Sequence, residues 1–216
     1  LRLEEALWGV RALLDDDLVH PLSQPLGGPG NLTVTPASSG GHRGRARLRL
    51  MINIGMSTSC AYPLSTDDAF RLAKTAGFDG VEVMVTNDKV TQDPAALLAL
   101  SEKYELPIFA IHAPVLLLTT FVWGRDPGTK LRRAAELSSA VGGSSVVVHP
   151  PFRFQAGYAE GFTDLVRTIS QDTGIEIAVE NMFPWKIAGR NLKAYLPSSD
   201  PTTMDVDAMT LDFSHA

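Results

Sequence analysis

Five side chains suited to holding a divalent cation or moving a proton recur at a similar place in successive segments. They are His112 in PIFAIHA, His149 in SSVVVHP, Glu180 in IEIAVEN, and Asp212 and His215 in MTLDFSH. Each stands at or just past the end of a short apolar run. A single histidine in such a place is commonly a hydrogen-bonded structural residue. A carboxylate at the end of an apolar strand, by contrast, is costly to bury without a partner, so Glu180 and Asp212 together call for something cationic between them. Imidazole and carboxylate donors without thiolate suit a hard or borderline divalent ion, such as Mn, Mg, Co or Zn. The one cysteine, Cys60, has no second cysteine for a disulfide or a thiolate site and reads as a small residue near a strand end.

The elements that must position these residues alternate regularly. Strand candidates are MINIG (51–55), GVEVMV (80–85), PIFAIHA (107–113), SSVVVHP (144–150), IEIAVEN (175–181) and MTLDFSH (209–215). Between them, Ser65 or Thr66 caps a helix through Ala76 that stops at Gly77, and Pro94 opens a second helix through Tyr104. A third helix is predicted over 128–141, ending at Gly142-Gly143, and a fourth over 158–173, ending at Gly174. Strands apolar on both faces and separated by helices predict a parallel sheet covered by helices. The first strand is followed by IGMSTSCAYPLS, which lacks the glycine signature of a dinucleotide-binding turn. Polar residues at the C-terminal ends of several strands favour a (β/α)8-type TIM barrel, whose active site lies on that face.

At 216 residues, 44% hydrophobic and 20% charged, the chain is long enough for one core-bearing domain. Residues 3–14 have the pattern of an amphipathic helix, and the following stretch to residue 50 is rich in Pro, Gly, Ser and Thr. We therefore read 1–50 as a disordered extension or linker, Met51 as the natural start, and 51–216 as the barrel domain. No apolar window reaches the roughly 18 residues a membrane helix needs, and no basic stretch precedes an apolar block at the N-terminus. The expected setting is cytoplasmic. A net charge of −5 argues against a broad grip on nucleic acid, and Arg43, Arg45, Arg47 and Arg49 read as a solvated tail.

The segments AIHAP, VVHPP, AVEN and LDFSHA, in this order on successive strands, resemble the strand-end motifs of the xylose-isomerase-like superfamily, which includes sugar isomerases and epimerases and the endonuclease IV group. In the sugar enzymes the resemblance implies that Glu180 and Asp212 bind the metal and that His215 contacts substrate, with His112 as a further substrate-binding residue. In the endonuclease IV branch His112 and His149 are metal ligands as well. The implied reaction is proton transfer through an enediolate, with Glu180 taking the proton next to a metal-polarised carbonyl and His215 holding a hydroxyl. The family also takes a histidine and a final glutamate from strands seven and eight. These would fall beyond Ala216, so the chain is expected to be C-terminally truncated, with about six of eight units, weak or inactive alone, and open to self-association through exposed barrel edges. An abasic-site endonuclease relative and a non-catalytic fragment or pseudoenzyme are the competing expectations.

Two loops could add substrate contacts. Phe121 and Trp123 either wall a sugar pocket or pack beneath their loop. The long connection 182–208 carries Trp185, Lys186, Arg190 and Lys193, cations that either meet a substrate phosphate or are solvated, and Asp200 is placed to cap a short helix at Pro201.

Overall fold

Six parallel strands lie side by side in the order β1-β2-β3-β4-β5-β8 in the computed structural model, which describes residues 52–114, 119, 121–183, 185–187, 190–192, 195 and 200–213. The strands are β1 (Gly55–Ser57), β2 (Gly80–Met84), β3 (Ile108–His112), β4 (Ser145–Val148), β5 (Glu176–Glu180) and β8 (Met209–Thr210). A separate antiparallel pair, β6 (Trp185–Ile187) and β7 (Arg190–Leu192), stands between β5 and β8 in the chain. Helices α1 (Thr66–Ala76), α2 (Pro94–Tyr104), α3 (Pro127–Ala140), α4 (Ala156–Glu160) and α5 (Phe162–Thr173) fill the crossovers. The result is a half-barrel, an incomplete TIM barrel in which β1 and β8 are the edges of the described sheet. The expected helix at 3–14, the linker to residue 50, Met51, the arginine run, Lys193 and His215 all lie outside the described residues, as do the side chains of Trp185, Lys186 and Arg190.

Local chemistry explains the helix limits. Ser65 Oγ accepts from the Asp68 amide at 3.1 Å, and Gly77 closes α1 with φ of 80°, a left-handed turn that costs glycine nothing. Asp93 and Asp126 cap α2 and α3 in the same way, each with a proline in the first turn. The single helix expected over 158–173 is two helices, broken at Gly161, and it starts at Ala156.

The outward face of the sheet makes the core. Val81, Val83, Val85, Ile111, Val146, Val148, Ile177 and Val179 are essentially inaccessible and pack on Phe70, Leu97, Leu131, Phe162, Val166 and Ile169 of the helices. Burying each such side chain stabilises by about 1.5–3 kcal/mol relative to exposure. The inward face is different. Its floor is Phe109, packed so close to β1 and β2 that a Cβ added to Gly80 would come within 2.5 Å of the ring, so only glycine fits there. The pairing of β2 with β3 shifts register at this point, between Val81 and Glu82.

Two strands are shorter than their sequence patterns suggest, each because a side chain or loop takes the backbone. Of the run expected as the first strand, Ile52, Asn53 and Ile54 lie outside it and only Gly55 belongs to it. Ile54 gives its N–H to Asp79 Oδ2 and its carbonyl to the Asp79 amide, both at 2.8 Å, its side chain is 61% exposed, and β1 begins at Gly55. In the last segment β8 stops at Thr210, because the Asp212 amide is bound by the Asn181 side chain at 2.7 Å.

Candidate metal centre

His112 ends β3, His149 follows β4 and Glu180 ends β5, so three adjacent strands deliver one side chain each to the C-terminal end of the inner face. Register accounts for the common direction: Val148 pairs with Val179, which sets His149 level with Glu180, and His112 pairs with Val147, two residues before His149. Both imidazoles converge on one carboxylate oxygen. His112 Nε2 lies 3.3 Å and His149 Nε2 3.1 Å from Glu180 Oε2, and the two rings meet edge to face at 4.9 Å. His112 and Glu180 are only 5% and 6% exposed.

The electrostatics follow from this packing. Burial alone would raise the Glu180 carboxyl, but the hydrogen bonds from His112 and His149 and their charges outweigh it and hold the group far below the usual carboxylate range. Burial alone would lower the His112 imidazole, but the Glu180 hydrogen bond and the charges of Glu82 and Glu180 raise it instead. His112 Nδ1 also lies 3.2 Å from the Ala113 carbonyl. A proton on Nδ1 directed at that carbonyl leaves Nε2 facing a carboxylate oxygen, and two acceptors in contact need a cation between them, whether a proton or a metal. This is the chemistry by which a histidine is oriented as a metal ligand. One potential ligand atom from each of His112, His149 and Glu180 lies within 4.8 Å of the others, so the three side chains fit a divalent ion.

The remaining expected site residues are placed less centrally. The Asp212 carboxylate is outside the three-residue group found among the described residues, although its backbone is held against the end of β5: Asn181 Nδ2 donates to the Asp212 carbonyl at 3.0 Å and Asn181 Oδ1 accepts from its amide. His215 and the Lys186 side chain lie outside the described residues. Trp123 packs against the main core with φ of 59°, beneath its loop. Phe121 is 71% exposed with the Arg125 guanidinium 5.0 Å from its ring. Cys60 is exposed in a short 3-10 helix, Thr58–Ala61, just after β1.

Sequence reasoning missed three contributors. Asn181 pins Asp212, and its signal is its place directly after Glu180 in AVEN. Glu82 projects from β2 on the face that carries His112, and its signal is a lone charge inside an apolar strand. Lys130 is buried near the start of α3 and donates to the carbonyls of Pro114 at 3.2 Å and Thr119 at 2.8 Å, while burial pushes its ammonium down. Nothing in PGTKLRR distinguishes that lysine from a solvated one.

Residues 70–202 match the family described as xylose isomerase-like TIM barrel. The chain belongs to this family. Its relatives include an uncharacterized protein of Mycobacterium leprae, 39% identical over 187 residues that cover 78% of this chain and 67% of the relative. An uncharacterized protein of Mycobacterium tuberculosis is 40% identical over the same shares. Among solved structures, an AP endonuclease of family 2 from Brucella melitensis superposes with a TM-score of 0.49 at 18% identity, over 66% of this chain and 60% of that one. A 3-keto-D-glucoside 4-epimerase from E. coli, in its apo form, gives 0.46 at 19% identity, over 62% and 57%. This xylose isomerase-like chain thus spans about two thirds of the length of the mycobacterial relatives and 60% or less of these two structures. No helix among its described residues is long and apolar enough to cross a membrane.

Proposed function

We propose that the chain carries the metal-binding part of a divalent-metal-dependent sugar or sugar-phosphate isomerase or epimerase of the cytoplasm, with residues 51–216 as the working domain and 1–50 outside the chemistry. The observation that carries this reading is Glu180, buried and held ionised between two imidazoles at the C-terminal end of the barrel strands. His112, His149 and Glu180 would hold Mn, Mg, Co or Zn, with Asp212 completing the set from the end of β8. A divalent ion bound there would polarise a substrate carbonyl and its neighbouring hydroxyl. Glu180 accepts the proton from the carbon beside that carbonyl, which requires its oxygen to be shared away from the imidazoles. His215 holds a substrate hydroxyl. Because the imidazole contacts make Glu180 a weak base as it stands, its role as ligand is the stronger of the two assigned to it.

A second reading, abasic-site endonuclease chemistry, is favoured by the convergence of His112 and His149 on one carboxylate and disfavoured by the net charge of −5. The full chain, loaded with Mn(II) or Zn(II), is incubated with ketoses and ketose phosphates in D2O, and in parallel with duplex DNA carrying one abasic site. Deuterium appearing next to the carbonyl, and lost in Glu180→Gln, supports the isomerase. Cleaved DNA without exchange supports the second reading, and metal bound with neither reaction sinks both.

A further inference from the structure

The inner face extends beyond the three metal-centre residues. Ser57 on β1 pairs in register with Glu82 on β2, and Glu82 pairs with Ala110, two residues before His112. Alternation along a strand therefore turns Ser57, Glu82 and His112 to the same side. Ser57 Oγ donates to Glu82 Oε1 at 2.8 Å, and Ser57 Oγ lies 2.9 Å from Ser59 Oγ. The Glu82 charge is near enough to act on the His112 imidazole. Among the described residues no lysine or arginine forms an ion pair with Glu82, and its Oε2 meets no protein donor. The carboxylate is half-buried, so it keeps an open acceptor oxygen on the inner face, beside the metal centre.

We propose, resting on the isomerase reading above, that Ser57, Ser59 and Glu82 form a hydroxyl-binding subsite next to the metal centre that takes the neutral diol end of a sugar and excludes a phosphate. A carboxylate accepts from hydroxyl donors and has nothing to offer a phosphate but repulsion, which grows as the pair leaves bulk water. One sugar hydroxyl donates to Glu82 Oε2, and its neighbour donates to Ser59 Oγ, whose own proton goes to Ser57 Oγ because the Ser57 proton goes to Glu82. Glu82 is a positioning residue here, and Ser57 sets the direction of its carboxylate. The subsite narrows the substrate class from sugar or sugar phosphate to a sugar without phosphate at the end lying over β1 and β2.

The test is binding, independent of turnover. Paramagnetic broadening of proton signals is measured for D-fructose, D-fructose 1-phosphate and D-fructose 6-phosphate with the full chain carrying Mn(II), and Mn(II) affinity is followed separately by electron paramagnetic resonance. Free fructose is expected to bind more tightly than at least one of the phosphates. Glu82→Gln should weaken fructose binding roughly 10- to 100-fold and narrow or reverse that preference, as expected when a charged acceptor for a substrate hydroxyl is lost. Mn(II) affinity should change far less than fructose affinity, because Glu82 reaches His112 only through its charge and holds no place among the proposed ligands. Ser57→Ala, which keeps the charge but frees its direction, should give a smaller loss of the same sign and guards against a misfolded Glu82→Gln. If both variants bind Mn(II), fructose and the phosphates as the parent does, the subsite is wrong while the metal-centre reading stands. If the parent binds Mn(II) but no sugar, the isomerase reading fails and the subsite with it.

Discussion

The central strands and the edge strands of this half-barrel are built on different terms. Strands β2 to β5 are paired on both sides, and their outward valines and isoleucines are sealed under α1, α2, α3 and α5. Strand β1 has three residues, β8 has two, and each pairs on one side only within the described sheet. The three residues that gather into a potential metal site all sit at the ends of β3, β4 and β5. Asp212, the further ligand proposed, follows β8, and its backbone is bound by the Asn181 side chain. The difference teaches that three of the four proposed ligands are set by packed central strands, while the fourth depends on an edge segment pinned by Asn181.

That contrast is broken most strongly in the core. Ile177→Ala, on the outer face of β5 and 2% exposed, should lower the unfolding free energy by about 2–5 kcal/mol in urea titration. Met209→Ala on half-exposed β8 should cost under about 1 kcal/mol. Equal losses would mean that β8 is as integral as β5. At the next size, Asn181→Ala removes both hydrogen bonds to Asp212 and should cost about 1–3 kcal/mol. Hydrogen exchange should quicken at the Asp212 amide and stay slow at Val147 and Val179. Uniform quickening would show that Asn181 supports the whole sheet.

The charges of the three packed residues can be separated from their packing by pH. Glu180 is held below its ordinary value of 4.5, so its contribution to stability is present above that value and is lost as pH falls through the folded one. His112 is held above its ordinary 6.5, so its contribution is complete below that value and is lost as pH rises through the folded one. With metal removed by chelator, the urea midpoint should therefore be highest between pH 4.5 and 6.5 and should flatten in Glu180→Gln. Adding Zn(II) should lift the alkaline side, because the metal takes the place of the proton on the imidazole. A midpoint that rises steadily to pH 8 in the chelated protein would contradict the coupled histidine–glutamate pair.

What is legible in the sequence follows the same division. The limits of α1, α2 and α3 and the start of the short turn at Pro201 can be read nearly to the residue, since Ser65, Gly77, Pro94 and Asp200 act through their own or adjacent turns. The parallel order and the three gathered residues are legible because strand-end position is a short-range property once the strand is recognised. The limits of β1 and β8 are not, because Asp79 and Asn181 reach across from other parts of the chain to take the backbone. The antiparallel pair of β6 and β7 is hidden by strands of only three residues, too short to show a period. Gly161, tolerable inside a helix by its sequence pattern, divides it instead. Glu82 and Lys130 escape sequence reasoning for opposite reasons. Glu82 stands inside a run whose pattern is apolar, whereas Lys130 has the sequence surroundings of any surface lysine, and only the fold brings the carbonyls of Pro114 and Thr119 to it.

The smallest effect separates local from long-range design. Ser65→Ala removes the acceptor for the Asp68 amide at the start of α1, a contact made at an exposed helix end that touches no residue of the metal centre. The expected cost is about 0.5–1 kcal/mol, the low end for a lost N-cap, since water can replace the hydroxyl. Ser65→Asp, which can cap as well and adds a negative charge at the helix N-terminus, should restore most of it. Mn(II) affinity should be the same in all three proteins. A change in metal binding with the cap would mean that α1 transmits strain through β2 to His112, and the separation drawn between rigid packing and local turns would have to be given up for this side of the barrel.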